Sequence, residues 1–166
     1  INQLRLSQCE KFSNTPYTIP KGRFGIPKAW TPKNSGEKYG GEISLKEALA
    51  KSVNVISARL IDMVTPANVA RLAKSAGIKS RIPKSPSIAL GSVELSLMEM
   101  TGAYATFANK GMRVEPNMLL RIEEKKGIAL ADLKRKTNEV LSEESAYGVL
   151  ELLKGVATAG YGVRLR

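Results

Sequence analysis

The sequence contains no histidine and a single cysteine, and these absences narrow the chemistry that the chain can perform. Without histidine, the Ser-His-Asp triad, the Cys-His pair and every zinc site that uses histidine are excluded. Cys9 has no partner for an intramolecular disulfide. A nucleophilic thiol would also need the histidine-like base that is missing. Any acid–base chemistry must therefore use Lys, Glu, Asp, Tyr or Ser.

Long apolar runs are also absent, since no stretch of about 18 consecutive apolar residues exists, and this excludes a membrane-spanning helix. Hydrophobic residues still make up 43% of the 166 residues. This content is ordinary for a globular chain and is enough to build the core of one domain. A disordered tail and a disulfide scaffold are excluded on the same ground.

Acidic residues are scarce beside basic ones, with 15 Asp and Glu against 26 Lys and Arg and a formal net charge of +11. Such a surface either is simply solvated or meets an anionic partner such as nucleic acid or lipid. Aromatic residues are only 5% of the chain, and its basic residues are scattered. A stacking platform for nucleic acid is therefore not expected. A basic, non-catalytic interaction module stays open as the alternative function, and salt-dependent oligonucleotide binding would support it.

The composition of the sequence changes near residue 43. Residues 1–42 hold four of the eight prolines and several glycines, which predicts an irregular segment, either pinned onto a core or mobile. Residues 43–166 are predicted to be helix-rich, with a β-hairpin near 117–133. The predicted class is α+β.

Four helix starts carry capping signals, and these are Ser44, Thr65, Ser96 and Ser142. The apolar residues that recur between Leu45 and Val64 fit either one helix or two helices with a joint between them. Gly77 and Gly111 are typical helix stops.

Without histidine, the serine chemistry that remains is a serine activated by a lysine. It needs a Ser-x-x-Lys pair on a helix, a Ser-x-Asn and a Lys-Thr-Gly strand, all within hydrogen-bond reach of one another. The chain offers a formal match to each of these at Ser35–Lys38, at Ser52-Val53-Asn54 and at residues 136–138.

Local context separates the three matches. Ser35 lies among prolines and glycines that favour a turn rather than a helix start. Residues 136–138 end in Asn138 instead of glycine and lie in a charged connector. Ser52 and Asn54 follow a capped amphipathic helix, where they form either a functional motif or a polar joint between helices.

The longer sequence around these motifs resembles a known family. The stretches that carry the resemblance are 30–34, 39–54, 86–92, 99–111, 121–124 with Gly127, and 160–166. In this order they are similar to the transpeptidase domains of class A, bifunctional penicillin-binding proteins. The resemblance implies a partial, serine β-lactamase-like domain that lacks most of its central sheet.

The resemblance also implies a function. Such enzymes cross-link peptidoglycan stem peptides by serine acyl transfer and are acylated by β-lactams. Their Ser-x-Asn serine relays a proton to the leaving amine, and its asparagine hydrogen-bonds the substrate or the catalytic lysine. These positions are Ser52 and Asn54 here. No cofactor, metal or nucleic acid is implied as a partner.

In this family the Ser-x-x-Lys motif precedes the tryptophan-proline stretch, and the Lys-Thr-Gly strand follows the Gly-x-Gly-x-Arg tail. The match at Ser35 is therefore a coincidence. We expect the attacking serine and the Lys-Thr-Gly strand to lie outside this chain, which is then a soluble piece, inactive alone, of a membrane-anchored parent that also carries a glycosyltransferase. The expected location is the extracytoplasmic face of the membrane. A structural domain that has lost catalysis stays open.

Overall fold

A computed structural model describes residues 6–160 and 162–163. These residues form five α-helices and six short strands, together with 3₁₀ turns at Arg23–Gly25, Ser35–Glu37 and Pro86–Leu90. In chain order the elements are β1 (Lys11–Ser13), β2 (Glu42–Ser44), α1 (Leu45–Ala50), α2 (Asn54–Val64), α3 (Pro66–Ser75), α4 (Leu97–Ala108), β3 (Met112–Val114), β4 (Arg121–Glu123), β5 (Ala129–Asp132), β6 (Thr137–Glu139) and α5 (Glu143–Ala159). The predicted helix-rich α+β class is confirmed.

The predicted caps start their helices by accepting hydrogen bonds from backbone N–H groups in the first turn. Ser96 forms the complete capping box, in which its hydroxyl accepts from the Glu99 N–H and the Glu99 carboxylate accepts from the Ser96 N–H. Ser44, Thr65 and Ser142 cap α1, α3 and α5 with their side-chain oxygens. These side chains satisfy N–H groups that have no partner inside the helix.

The apolar stretch from Leu45 to Val64 forms two helices, which settles the question that its periodicity leaves open. The chain leaves the helical conformation at Lys51–Val53, between α1 and α2. Leu49, one of the apolar residues that recur at helical spacing in this stretch, is 43% exposed. The neighbouring elements cover only part of the apolar stripe, and Leu49 lies on the uncovered part.

The strands form three antiparallel pairs rather than one larger sheet within the described residues. The hairpin predicted near 117–133 is confirmed as β4 paired with β5. A pair absent from the prediction joins β3 to β6, with Met112 opposite Glu139 and Val114 opposite Thr137. The placement of residues 136–138 in a connector is therefore wrong for Thr137 and Asn138, because backbone hydrogen bonds to β3 extend them as a strand.

The main core cluster joins α1 and α2 to the irregular N-terminal segment. Buried Leu45, Ala48, Val55 and Ile56 pack with Phe12 and other partly buried apolar residues. The N-terminal segment is thus pinned onto the core rather than free. Among the described residues, no helix combines the length and the apolar character needed to cross a membrane.

Polar contacts fix the same segment to α2. The Tyr17 hydroxyl donates to the Asp62 carboxylate over 2.7 Å, and Arg23 pairs with that carboxylate. The Arg59 guanidinium lies 4.5 Å from the centre of the Tyr17 ring, a cation–π contact. The hydrogen bond from Tyr17 to Asp62 raises the pKa of Tyr17. These contacts hold Tyr17 and Arg23 against α2.

Candidate functional site

Ser52 lies in the joint between α1 and α2 and has a left-handed backbone with φ 51°. This conformation is uncommon for a residue other than glycine. Two backbone hydrogen bonds tie the joint to α1, from the Ser52 N–H to the Leu49 carbonyl over 3.1 Å and from the Val53 N–H to the Ala48 carbonyl over 2.9 Å. These two bonds form the Schellman cap that ends α1, and a left-handed residue at the position of Ser52 is usual for such a cap.

A cleft of about 560 Å³ opens beside this joint. One wall is the joint itself, with the exposed Ser52 and its neighbours Lys51 and Val53. The C-terminal end of α5 contributes Ala159 and Gly160 to another wall. The remaining lining residues come from β2, α1 and the N-terminal segment: Asn14, Asn34, Ser35, Lys38, Gly40, Ile43, Glu47 and Ala50.

The cations at the joint are held in ion pairs. Lys51 contacts Glu47 one turn earlier in α1, with 2.6 Å between Nζ and Oε1. Lys33 contacts Glu37 over 2.7 Å, and this hydrogen bond raises the pKa of Lys33. A protonated lysine is a donor and not a base. Of these two lysines only Lys51 lines the cleft with Ser52, and a second lysine of the lining is Lys38.

Asn54 is the first residue of α2, and its side chain is turned toward the N-terminal segment. Its Nδ2 donates to the Lys33 carbonyl over 2.7 Å, and Asn54 does not itself line the cleft. Because Nδ2 must donate to that carbonyl, the orientation of the amide is fixed. Oδ1 is then the atom of Asn54 that can accept a hydrogen bond from an incoming group.

Asn34 is a site residue that the sequence analysis did not single out. Its side chain is buried, and Oδ1 accepts from the Val55 N–H over 3.1 Å, within the first turn of α2. The cap position of α2 is Val53, which makes no capping hydrogen bond because its side chain has no polar atom. Valine at a cap position cannot accept hydrogen bonds from the first N–H groups of the helix. This valine was therefore the one sequence signal that a residue elsewhere caps α2.

The chain matches the penicillin-binding protein transpeptidase domain over residues 6–166. It belongs to this family. Penicillin-binding protein 1A of Rickettsia felis is 37% identical over 131 residues, which are 79% of this chain and 16% of the relative. The protein of the same name from Aquifex aeolicus is 33% identical over 149 residues, covering 89% of this chain and 20% of the relative. The chain thus spans a fifth or less of the curated relatives that it matches.

Solved structures of the penicillin-binding family share the fold. The crystal structure of penicillin-binding protein 1A from Haemophilus influenzae matches with a TM-score of 0.80 and 25% identity, over 95% of this chain and 28% of that one. An imipenem acyl-enzyme complex of penicillin-binding protein A from M. tuberculosis matches with a TM-score of 0.73 over 93% of this chain and 40% of that one. At 20% identity, the second likeness concerns the fold alone.

The family membership confirms the resemblance stated from the sequence and does not favour the alternative of a basic interaction module. The structure around the other two motif matches, Ser35–Lys38 and residues 136–138, differs from what a lysine-activated serine site needs. Ser35 lies in a 3₁₀ turn in which Gly36 has φ 67°, so it does not begin a helix. None of residues 136–138 lines the cleft.

Part of the transpeptidase-like tail lies outside the described residues. Tyr161 and residues 164–166, with the arginine of the Gly-x-Gly-x-Arg pattern, belong to that part. Gly160 is described, and it contributes to the cleft. Within the described residues, no group of three or more His, Cys, Asp or Glu side chains is placed to hold a metal ion.

Proposed function

We propose that this chain is a segment of a peptidoglycan D,D-transpeptidase, and that it contributes Ser52 and Asn54 to that enzyme's active site. The observation that carries the proposal is the position of Ser52. In a chain of the penicillin-binding transpeptidase family, the serine of the only Ser-x-Asn motif is exposed on the wall of a cleft.

The proposed reaction is acyl transfer in two steps. A serine hydroxyl attacks the carbonyl carbon between two D-Ala residues of a stem peptide, and the peptide bond breaks as the terminal D-Ala leaves with a proton on its nitrogen. An amine of a neighbouring strand then attacks the ester, forms the cross-link and releases the serine. A β-lactam takes part in the first step only, because the nitrogen that leaves remains tethered to the acyl group.

Ser52 and Asn54 assist these steps. The Ser52 hydroxyl both donates and accepts hydrogen bonds, so it can pass a proton toward the leaving nitrogen. Asn54 lies beside the cleft rather than in its lining, and the atom that it can offer to a substrate N–H or to a lysine ammonium is Oδ1, because Nδ2 is engaged by the Lys33 carbonyl. We infer that the attacking serine, its lysine and the Lys-Thr-Gly strand are supplied from elsewhere in the complete enzyme. Ser35 and Lys38 line the cleft, but Ser35 lies in a 3₁₀ turn and not at the start of an α-helix, and none of residues 136–138 lines the cleft.

The complete enzyme is proposed to act on peptidoglycan stem peptides, to bind β-lactams and to face the cell exterior or periplasm, where wall cross-linking takes place. A membrane anchor and a glycosyltransferase module in that enzyme are part of the same proposal. The net charge of +11 suits a position near anionic lipid headgroups.

The test is the rate of acylation by a fluorescent penicillin in the complete protein that contains this chain. Ser52→Ala should slow acylation by about 10²-fold, as expected for loss of a proton-transfer group. Ser75→Ala is the matched control, because Ser75 is an exposed residue at the end of α3 that lines neither of the cavities that Ser52 lines, and its rate should equal that of the unchanged protein. If Ser52→Ala were acylated at the unchanged rate, the proposed role of Ser52 would be wrong.

A further inference from the structure

The start of α2 is held from outside the helix by two consecutive residues of the N-terminal segment. The Lys33 carbonyl accepts from Asn54 Nδ2 over 2.7 Å, and Asn34 Oδ1 accepts from the Val55 N–H over 3.1 Å. Lys33 is thus bonded to Asn54, and its neighbour Asn34 is bonded to Val55. The second contact supplies the cap that Val53 cannot provide.

Asn34 is itself fixed on three sides. Its Nδ2 donates to Asn14 Oδ1 over 2.8 Å and to the Lys38 carbonyl over 2.8 Å, while Oδ1 accepts from Val55. The orientation of this amide is unambiguous, because the Val55 N–H can only donate and the Lys38 carbonyl can only accept. With 8% of the residue exposed, these bonds have little competition from water.

We propose that Asn34 is a positioning residue that holds the Ser52–Asn54 joint in its active geometry. Ser52 lies two residues before the first turn of α2, and its left-handed φ of 51° belongs to the hydrogen-bonded end of α1. Backbone hydrogen bonds to α1 thus fix one end of the joint, and Asn34 fixes the other. Without this cap the first turn of α2 frays, and the joint shifts relative to α2, which displaces Asn54 and the Ser52 hydroxyl.

This inference rests on the proposed function, so its test separates the two. In the complete protein, the rate of acylation by a fluorescent penicillin is measured as a function of penicillin concentration, well below the melting temperature of every variant. Asn34→Ala should lower the limiting acylation rate by about 10-fold to 10²-fold, the cost of a misplaced group near the chemistry. The half-saturating concentration should stay close to that of the unchanged protein.

Asn34→Asp is the rescue variant. Its carboxylate still accepts from the Val55 N–H, a negative charge suits a helix N-terminus, and Asn14 can turn its amide to donate to it. The second carboxylate oxygen, however, faces the Lys38 carbonyl, which can only accept. This variant should therefore recover part of the rate that Asn34→Ala loses. Thr65→Ala is the matched control, because it removes the cap of α3, and it should lower Tm without changing the rate. Should Asn34→Ala fail to fold, Asn34→Ser replaces it, since its shorter side chain leaves Val55 uncapped.

Coupling to Ser52 completes the test. In the Ser52→Ala background, Asn34→Ala should slow acylation little further, because the group that Asn34 positions is already gone. Equal slowing by the Ala and Asp variants, or full slowing on top of Ser52→Ala, would refute the positioning role while leaving the role of Ser52 intact. An unchanged rate for Ser52→Ala alone would instead contradict the proposed function.

Discussion

Gly160 packs directly against the joint that carries Ser52, and its replacement gives the sharpest steric test of this arrangement. A Cβ added there would overlap the Ala50 carbonyl oxygen and would lie 2.9 Å from both the Ala50 carbonyl carbon and the Val156 oxygen. Ordinary contacts of a Cβ begin near 3.4 Å, so the two atoms at 2.9 Å are about half an ångström too close and the Ala50 carbonyl oxygen is closer still. These obstacles are backbone atoms, so the end of α5 and the joint must move apart.

The expected cost of Gly160→Ala is about 1–3 kcal/mol in the free energy of unfolding, as for other overpacked sites. Backbone conformation adds nothing to this cost, because φ is −115° at Gly160 and alanine adopts such a value freely. The loss is therefore purely steric. The same displacement moves one wall of the cleft away from the other, so acylation of the complete protein by penicillin should also slow.

Gly148→Ala is the control within the same helix, since a Cβ at Gly148 meets nothing within 4 Å. It should stabilise the chain by about 0.5–1 kcal/mol, because glycine is unfavourable inside a helix. Urea unfolding of both variants beside the unchanged chain measures the two effects, which have opposite signs. If Gly160→Ala were as stable as Gly148→Ala, the close packing of α5 against the joint would be refuted.

Two other predictions concern pH and labelling. Hydrogen bonds, first from the Ser80 backbone N–H and also from Ser96, lower the pKa of Glu99 to about 2. The ionised Glu99 carboxylate therefore stabilises the fold fully above about pH 4.5, and this stabilisation is lost as the pH falls toward 2. The stability difference between the unchanged chain and Glu99→Gln, measured by urea unfolding, should shrink over that interval, and a constant difference would contradict it. The 166-residue chain alone should take no covalent label from a fluorescent penicillin. Ser35 precedes Lys38 only in an exposed 3₁₀ turn and not at the start of an α-helix, and Ser52 has Val55 rather than a lysine three residues later. Mass spectrometry that found the label on either serine would overturn the assignment of the nucleophile to residues elsewhere.

The local elements of this chain are predictable from the sequence because their signals act over three or four residues. Ser96 and Glu99 form the capping box that their spacing predicts, and Thr65-Pro66 starts a helix as expected. The motif around Ser52 could be recognised from its neighbours in the sequence. Its catalytic role stays a prediction.

Tertiary structure alone decided how the site is assembled. The cap of α2 comes from Asn34, which is 21 residues before Val55, and no periodicity reports a hydrogen bond over that separation. Gly160 contacts Ala50, although most of the helical part of the chain lies between them in the sequence. Strand β3 pairs with β6, although the β4–β5 hairpin lies between these two strands in the sequence. These contacts depend on which surfaces meet once the core around Val55 and Ile56 has closed, since the free energy of a distant contact is gained only after the chain between its partners has been ordered.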